Sequence, residues 1–155
     1  MFEVLGFYKF VKISYLKKNQ KILLEILSKK NIRGTIIISK EGVNGTVSGK
    51  ASDIKFTINK LKRTLKFKDF NNSNISKNLF QPFHKLKVKI KNEVVPMNLI
   101  LNKRIKKKDS HVDPIKWNKL IKEKGTVLID ARKPFEYDVG TFKGAINPDV
   151  DNFRD

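Results

Sequence analysis

The chain contains one compact group of charged side chains whose types and spacing could do chemistry. The short apolar segment Val127–Ile129 is followed by Asp130 and Arg132, and Glu136 lies four residues further along. An acid and an arginine two residues apart favour an ion pair that anchors the loop after a strand. A direct contact with substrate stays open as the second interpretation. Glu136 is interpreted as a local hydrogen-bond partner in the same region.

The chemistry open to these residues is limited by what the chain lacks. The 155 residues contain no cysteine, so they offer no thiol nucleophile, no disulfide and no thiolate metal ligand. The two histidines, His84 and His111, are isolated from each other, which argues against a metal site. Ser110 beside His111 falls in a charged, linker-like stretch, so no nucleophile–base pair is predicted. We therefore predict no catalytic residue, no metal and no identifiable cofactor within this sequence.

A second set of residues suits RNA binding rather than catalysis. Lysine alternates with apolar residues on a predicted strand, which produces a ladder of Lys85, Lys87, Lys89 and Lys91. A separate basic run at positions 103–108 ends with Lys106, Lys107 and Lys108. Lysines arranged in this way suit phosphate contacts, which position an RNA without reading its bases. A solvated sheet edge and a charged linker remain the alternative interpretation.

The distribution of charge favours nucleic acid as a partner. Residues 1–108 contain 26 lysines and arginines against 6 acidic residues, whereas residues 109–155 contain 8 against 9. A nucleic-acid-binding module joined to a nearly neutral one has this pattern. Lysine outnumbers arginine 29 to 5, as an AT-rich genome would also produce, but such a bias should load both segments alike. We therefore expect the basic part to contact RNA.

The hydrophobic pattern predicts the elements that position these residues. The predicted order is strand, helix, strand, strand, helix, strand, at Leu5–Val11, Leu16–Asn31, Arg33–Lys40, Thr46–Ser48, Ser52–Leu65 and Lys85–Lys91. Glu41–Gly45 is predicted as a turn around Asn44 and Gly45, and polar residues 69–77 receive no element. This order is the ferredoxin-like split βαβ arrangement, an α+β fold with two helices on one face of a four-stranded antiparallel sheet.

The basic run also marks a predicted domain boundary. We predict a first domain over residues 1–101, a basic linker over 102–112 and the first part of a second domain over 113–155. In the second part, Asp113 and Pro114 predict a helix start, and Thr126–Ile129 predicts a strand. A parallel α/β sheet needs several neighbouring strands. The second domain is therefore expected to be incomplete.

The residue patterns of both parts resemble one known family. The first part contains Glu41-Gly42-Val43-Asn44-Gly45-Thr46-Val47 and Lys87–Val95. The second contains, in order, Trp117-Asn118, Val127–Arg132, Phe135-Glu136-Tyr137, Gly140-Thr141-Phe142, Ala145–Pro148 and Phe153-Arg154. Together these segments resemble the rhodanese-related tRNA uridine hydroxylases over nearly the whole chain.

This resemblance implies a fold and an activity. The fold would be an acylphosphatase-like ferredoxin domain, then an α/β rhodanese domain and a C-terminal extension. The activity would be oxygen-dependent 5-hydroxylation of the wobble uridine of tRNA, with molecular oxygen as co-substrate. It depends on a cysteine in the rhodanese loop, expected beyond Asp155, so this chain alone is expected to be inactive. Backbone N–H groups of such a loop stabilise a thiolate, and Asp130 and Arg132 would be scaffold beneath it.

Other functions and surfaces stay open. The chain could be a fragment of a rhodanese-type sulfurtransferase, although Gly140-Thr141-Phe142 replaces the usual Gly-His-Ile. It could also be a non-catalytic basic RNA-binding module. The aromatic residues Phe7, Tyr8 and Phe10 could stack on bases, but core packing is the favoured interpretation.

The sequence also predicts where the protein resides. No apolar run approaches the roughly 20 residues that span a bilayer. The N-terminus has no basic region or cleavage site typical of a signal peptide. A soluble cytoplasmic protein with no membrane contact is therefore expected, and its oligomeric state is left open.

Overall fold

The structure is a computed structural model that describes residues 1–94 and 112–150 of the chain. The chain divides into two compact units, Met1–Val95 and Pro96–Asp155, each with its own secondary structure. The predicted basic linker at 102–112 lies outside the described residues except for Val112. The domain limits at residues 101 and 113 therefore stay predictions.

The first unit is built on a five-stranded sheet with two helices. Its elements in chain order are β1 (Phe2–Phe10), α1 (Leu16–Ser28), β2 (Arg33–Ser39), β3 (Gly42–Gly49), α2 (Ala51–Thr64), β4 (Asn72–Asn78) and β5 (Leu86–Ile90). The strands lie in the order β4-β1-β3-β2-β5. All neighbours are antiparallel except β2 and β5, which are parallel. The predicted ferredoxin-like α+β fold is confirmed, in its acylphosphatase-like form with a mixed sheet.

The number of strands corrects the sequence prediction. The fourth strand of the ferredoxin-like arrangement is β4, and all of it except Asn78 falls in the polar stretch that was given no element. The predicted strand Lys85–Lys91 is instead a fifth strand at the opposite edge, so the sheet is not four-stranded and antiparallel. β4 was missed because it is an exposed edge strand, and Ile75 is its single apolar residue. Backbone hydrogen bonds to β1 define such a strand, and a polar edge also discourages aggregation.

The hydrophobic core lies between one face of the sheet and the two helices. Leu23 and Leu27 of α1 lie four residues apart and Ile54 and Leu61 of α2 seven apart, so each pair faces the same side. They pack against sheet residues that alternate along the strands, namely Leu5, Phe7, Ile36, Ile38, Val43, Val47 and Val88. Neither helix covers the opposite face of the sheet.

The hairpin between β2 and β3 turns earlier than predicted. The chain reverses at Lys40 and Glu41, and β3 has already begun at Gly42. Asn44 and Gly45 therefore lie inside a strand, and the prediction of a turn there is wrong. An Asn-Gly pair favours a turn through local backbone preference, but here the glycine is required by packing between strands.

Gly45 lets an aromatic ring rest directly on the backbone. A Cβ atom at this position would lie 2.8 Å from Cζ of Phe7 and 2.7 Å from the carbonyl oxygen of Thr35. Both distances are below van der Waals contact, so no side chain fits. Phe7 thus fills the volume that a side chain at residue 45 would occupy, and β1 and β3 are held in register by that contact.

The second unit contains two short helices among its described residues. α3 (Pro114–Leu120) begins where predicted, because the Asp113 carboxylate accepts a hydrogen bond from the Lys116 amide at 2.9 Å. α4 (Pro134–Val139) was not predicted. Its proline at the first helical position is typical of a helix start.

The predicted strand of the second unit is correct in position but too long. A single parallel bridge joins Ile129 to Ile146. The Asp130 amide donates to the Ile146 carbonyl, and the Ile146 amide donates to the Leu128 carbonyl, both at 2.9 Å. Among the described residues, Ile146 provides the one bridge partner of this segment, so the pairing is a single bridge rather than a strand.

We predict opposite outcomes for alanine at two glycines of the sheet. Gly45→Ala should lower the free energy of unfolding by about 2 kcal/mol or more, because the new methyl group collides with Phe7 and the backbone. Gly6→Ala on β1 should be neutral or stabilising by up to about 1 kcal/mol, because a Cβ atom there meets nothing within 4 Å. Urea unfolding followed by circular dichroism measures both. Equal destabilisation would mean that packing of Phe7 does not set the cost.

Candidate functional site

The lysine ladder of β5 is exposed on one side of the sheet. Val88 is buried and its apolar neighbours Leu86 and Ile90 are half-buried, whereas the four lysines between them and beside them are exposed. Residues two apart on a strand lie about 6.6 Å from each other. The predicted alternation is therefore confirmed, and it sets a row of ammonium groups at regular spacing. Their role in RNA binding stays a prediction.

The ladder carries positive charge that is not neutralised locally. Among the described residues, none of the four lysines is joined to a carboxylate by an ion pair; the lysines in such pairs are Lys29, Lys30 and Lys62. The second predicted basic set, Lys106, Lys107 and Lys108, lies outside the described residues. Its contribution stays a prediction.

The three aromatic residues of β1 have different environments. Phe7 is 4% exposed and packs against Phe70 with ring centroids 5.0 Å apart, so core packing is correct for this residue. Tyr8 and Phe10 point to the other face because strand residues alternate. Phe10 is 39% exposed, so the expectation of core packing is wrong for it. Their rings meet edge to face at 5.8 Å.

In the second unit, the structure brings Asp130 and Arg132 together. The guanidinium donates from Nη2 to Oδ2 of the carboxylate at 2.6 Å and from Nε to Oδ1 at 2.9 Å. The hydroxyl of Thr141 donates to the same Oδ2 at 2.7 Å. The Asp130 side chain is only 11% exposed. A bidentate, charge-assisted pair of this kind fixes both side chains in one orientation.

The same pair ties together the loops on either side of α4. Arg132 Nη2 also donates to the Gly140 carbonyl at 2.7 Å. The amide group of Asn147 donates to the backbone carbonyls of Asp130 and Arg132, each at 2.8 Å. Hydrogen bonds from the Arg132 and Thr141 side chains hold the pKa of Asp130 well below its usual value, and the carboxylate in turn raises the pKa of Arg132.

Glu136 is less closely involved than the sequence predicted. It lies in the first turn of α4, and its charge adds to the raised pKa of Arg132. No hydrogen bond joins its carboxylate to another side chain in the part of the second unit that is described. Thr141 and Asn147 instead complete the cluster. They lie 11 and 17 residues from Asp130, a separation at which no local spacing rule applies.

Two cavities lie near charged residues. One of about 510 Å³ in the second unit is lined by Asp130, Arg132, Thr141, Trp117 and Phe142, among others. Another of about 740 Å³ in the first unit lies at the loop before α1, and four lysines contribute to its lining: Lys12, Lys17, Lys18 and Lys40.

Within residues 1–94 and 112–150, no group of three or more histidine, cysteine or acidic side chains could hold a metal ion. No helix in these ranges is long and apolar enough to cross a membrane.

Comparison with known proteins gives one consistent family. Three curated relatives are each named tRNA uridine(34) hydroxylase. The relative from Pelagibacter ubique (strain HTCC1062) is 63% identical over 155 residues, covering 100% of this chain and 51% of its own length. Relatives from Bartonella quintana (strain Toulouse) and Bartonella henselae (strain ATCC 49882) are 36% and 35% identical, covering 99% of this chain and 50% of their own lengths. The chain thus spans about half the length of the curated relatives it matches.

Solved structures with low sequence identity include two acylphosphatases. The enzyme from Bacillus subtilis matches 57% of this chain and 98% of its own, with a TM-score of 0.42 and 9% identity. The enzyme from Coxiella burnetii matches 56% and 90%, with a TM-score of 0.37 and 14% identity. The family resemblance read from the sequence is confirmed by the relatives and by a family model that matches residues 2–94. The chain belongs to the family described as the UPF0176 acylphosphatase-like domain.

Proposed function

We propose that this chain takes part in oxygen-dependent 5-hydroxylation of the wobble uridine of tRNA. The single observation that carries the proposal is 63% identity, over all 155 residues, with a relative named tRNA uridine(34) hydroxylase. Molecular oxygen would be the co-substrate, as the resemblance to the hydroxylases implies. The relatives' names favour hydroxylation over a sulfurtransferase activity.

Within this function, the first unit would hold the tRNA. Its charge supports this role, since residues 1–94 include the unpaired lysine ladder of β5 and few carboxylates. The basic run that contains Lys106, Lys107 and Lys108 would add phosphate contacts. Phosphate contacts alone supply affinity and orientation rather than base recognition.

The second unit would be the first part of a rhodanese domain. Asp130 and Arg132 would be scaffold in this domain, because their side chains are hydrogen-bonded to each other. Thr141 also donates to Asp130, and Arg132 donates to the Gly140 carbonyl. They hold the segment after Ile129 in place and leave no free carboxylate oxygen for proton transfer. The resemblance to the hydroxylases implies an activity that depends on a cysteine, and these 155 residues contain none. The reactive thiol would therefore be supplied by residues other than these.

A chimeric protein tests the proposed activity. The matching half of the Pelagibacter ubique relative would be replaced by this chain and expressed in bacteria that lack their own hydroxylase. We expect 5-hydroxyuridine in the digested tRNA, as from the unaltered relative, and none from the 155-residue chain expressed alone. A folded chimera that leaves tRNA unmodified would contradict the proposal, and so would modification by the chain alone.

Asp130→Asn tests the scaffold role through pH dependence. The folded-state pKa of Asp130 is depressed, so the carboxylate stabilises the second unit above the unfolded-state pKa of about 4, and this stabilisation is lost as pH falls towards the folded-state pKa. The neutral amide of the variant lacks this charge at every pH. The variant should therefore unfold at lower urea concentration than wild type at about pH 7, and the gap should narrow at about pH 3.

Trp117 provides the measurement for this variant. It is the single tryptophan of the chain and lies in the second unit, with its ring 5.5 Å from that of Phe142, so its fluorescence reports unfolding there. Asp138→Asn is the matched control, since this exposed carboxylate of α4 has no hydrogen bond or ion pair to a described residue. Equal loss in both variants, or a gap for Asp130→Asn that does not change with pH, would contradict the scaffold role.

A further inference from the structure

The face of the sheet that the helices leave uncovered has an ordered arrangement of side chains. We call it the open face and define it by four strands. It consists of Val4, Gly6, Tyr8 and Phe10 of β1, Asn44, Thr46 and Ser48 of β3, Arg33, Thr35 and Ile37 of β2, and the ladder lysines Lys85, Lys87, Lys89 and Lys91. Ser48 is buried and its Oγ donates to the Pro82 carbonyl at 2.7 Å, so the chain itself covers the Ser48 end of this face. These residues share a face because each is paired with another member or alternates with a core residue.

Strand register sets these residues in rows across the sheet. One row runs from Tyr8 through Asn44 and Ile37 to Lys89. Neighbouring strands lie about 4.8 Å apart, so the aromatic end and the lysine end of a row are separated by about 14 Å. The aromatic strand β1, which lies beside the edge strand β4, and the cationic edge strand β5 thus face the same solvent across two intervening strands.

The next row forms a low floor between these two strands. It runs from Gly6 through Thr46 and Thr35 to Lys87. A Cβ atom added at Gly6 meets nothing within 4 Å, so the space above this point of β1 is empty. Thr46 is exposed, and both threonines are short and can hydrogen-bond. A planar group could therefore lie across this row without displacing a side chain.

The charge on this surface selects the type of occupant. No acidic residue is a member of the open face as the four strands define it, and its ladder lysines have no ion-pair partner among described residues. A second copy packed with β5 over β5 would set lysine ladder against lysine ladder, which costs energy. A polyanion with exposed planar groups complements the aromatic and the cationic strand at once.

We propose that the open face binds single-stranded RNA, with bases stacked on Tyr8 and Phe10 and phosphates on the lysine ladder. The inference rests on the proposed function, since a wobble uridine lies in a single-stranded loop of tRNA. Aromatic rings on a sheet can stack only on bases that have left a helix, whereas bases of duplex RNA are stacked inside it. The open face therefore favours unpaired over paired RNA.

Binding of the complete 155-residue protein to a labelled oligouridine of about 12 nucleotides tests this inference. Fluorescence anisotropy at about 0.15 M salt would be followed by a salt titration, with a duplex RNA of equal length for comparison. Tyr8→Leu and Phe10→Leu remove the stacking ring and keep apolar volume. Lys87→Gln with Lys89→Gln removes two ladder charges. Lys21→Gln with Lys55→Gln is the matched control, because these exposed lysines lie on the helices that cover the other face.

We expect each aromatic variant to bind oligouridine about fivefold or more weakly. The ladder double variant should bind more weakly and reduce the slope of log affinity against log salt by about 1.4, while the control pair changes affinity less than about twofold. Duplex RNA should bind more weakly than oligouridine and be insensitive to Tyr8→Leu. If circular dichroism shows that Tyr8→Leu is unfolded, Phe10→Leu decides the matter.

Three results would overturn the inference. They are unchanged oligouridine affinity in folded aromatic variants, equal losses from the ladder and control pairs, and preference for the duplex. A face that packs against the rest of a longer protein, rather than RNA, would give the first of these. Oligouridine binding is measured directly, so its outcome does not depend on whether the chimera produces 5-hydroxyuridine. Intact oligouridine binding together with a folded chimera that produces no 5-hydroxyuridine would contradict the proposed function and leave this inference standing.

Discussion

The packing of Phe7 on the bare backbone of Gly45 is the contact on which the first unit depends. It fixes how β1 lies against β3, and β1 is the strand that also pairs with β4. Because side chains alternate along a strand, burying Phe7 turns Tyr8 to the opposite face. A slip of one residue would reverse that assignment along the whole strand. One close contact in the core therefore decides which aromatic ring meets solvent.

The strands of the sheet differ in how far their sequence predicts them. β5 is predictable because lysine alternates strictly with Leu86, Val88 and Ile90, a pattern typical of a strand with one buried and one solvent-exposed face. The strand that β5 pairs with is not predictable from the sequence. No local pattern distinguishes a strand that runs parallel to β2 at one edge of the sheet from a strand that runs antiparallel to β1 at the other edge. β4 has no pattern to find, because both of its faces are exposed and its stability comes from backbone hydrogen bonds to β1.

The second unit shows the same limit on a smaller scale. The Asp130–Arg132 pair could be predicted because two residues of opposite charge lie close in sequence after an apolar segment. The partners that orient the pair, Thr141 and Asn147, come from beyond α4. Their hydroxyl and amide groups carry no charge pattern and no period, so only the folded chain reveals that they converge. An interaction between residues close in sequence, such as this ion pair, can thus be predicted from the sequence. The more distant residues that complete the site cannot.

The chemistry of the open face also sets a limit on what the first unit can contribute to recognition. Lysine contacts to phosphate are independent of sequence, and stacking on an aromatic ring accepts every base because every base has a π-face. Such a surface can distinguish unpaired from paired RNA but cannot distinguish one unpaired base from another. Asn44 and the threonines of the floor could add hydrogen bonds to base edges, yet they are few beside the four ladder lysines. Under the proposed function, selection of a single uridine would therefore require groups outside this sheet, and the first unit would supply retention of a loop rather than the choice of a base within it.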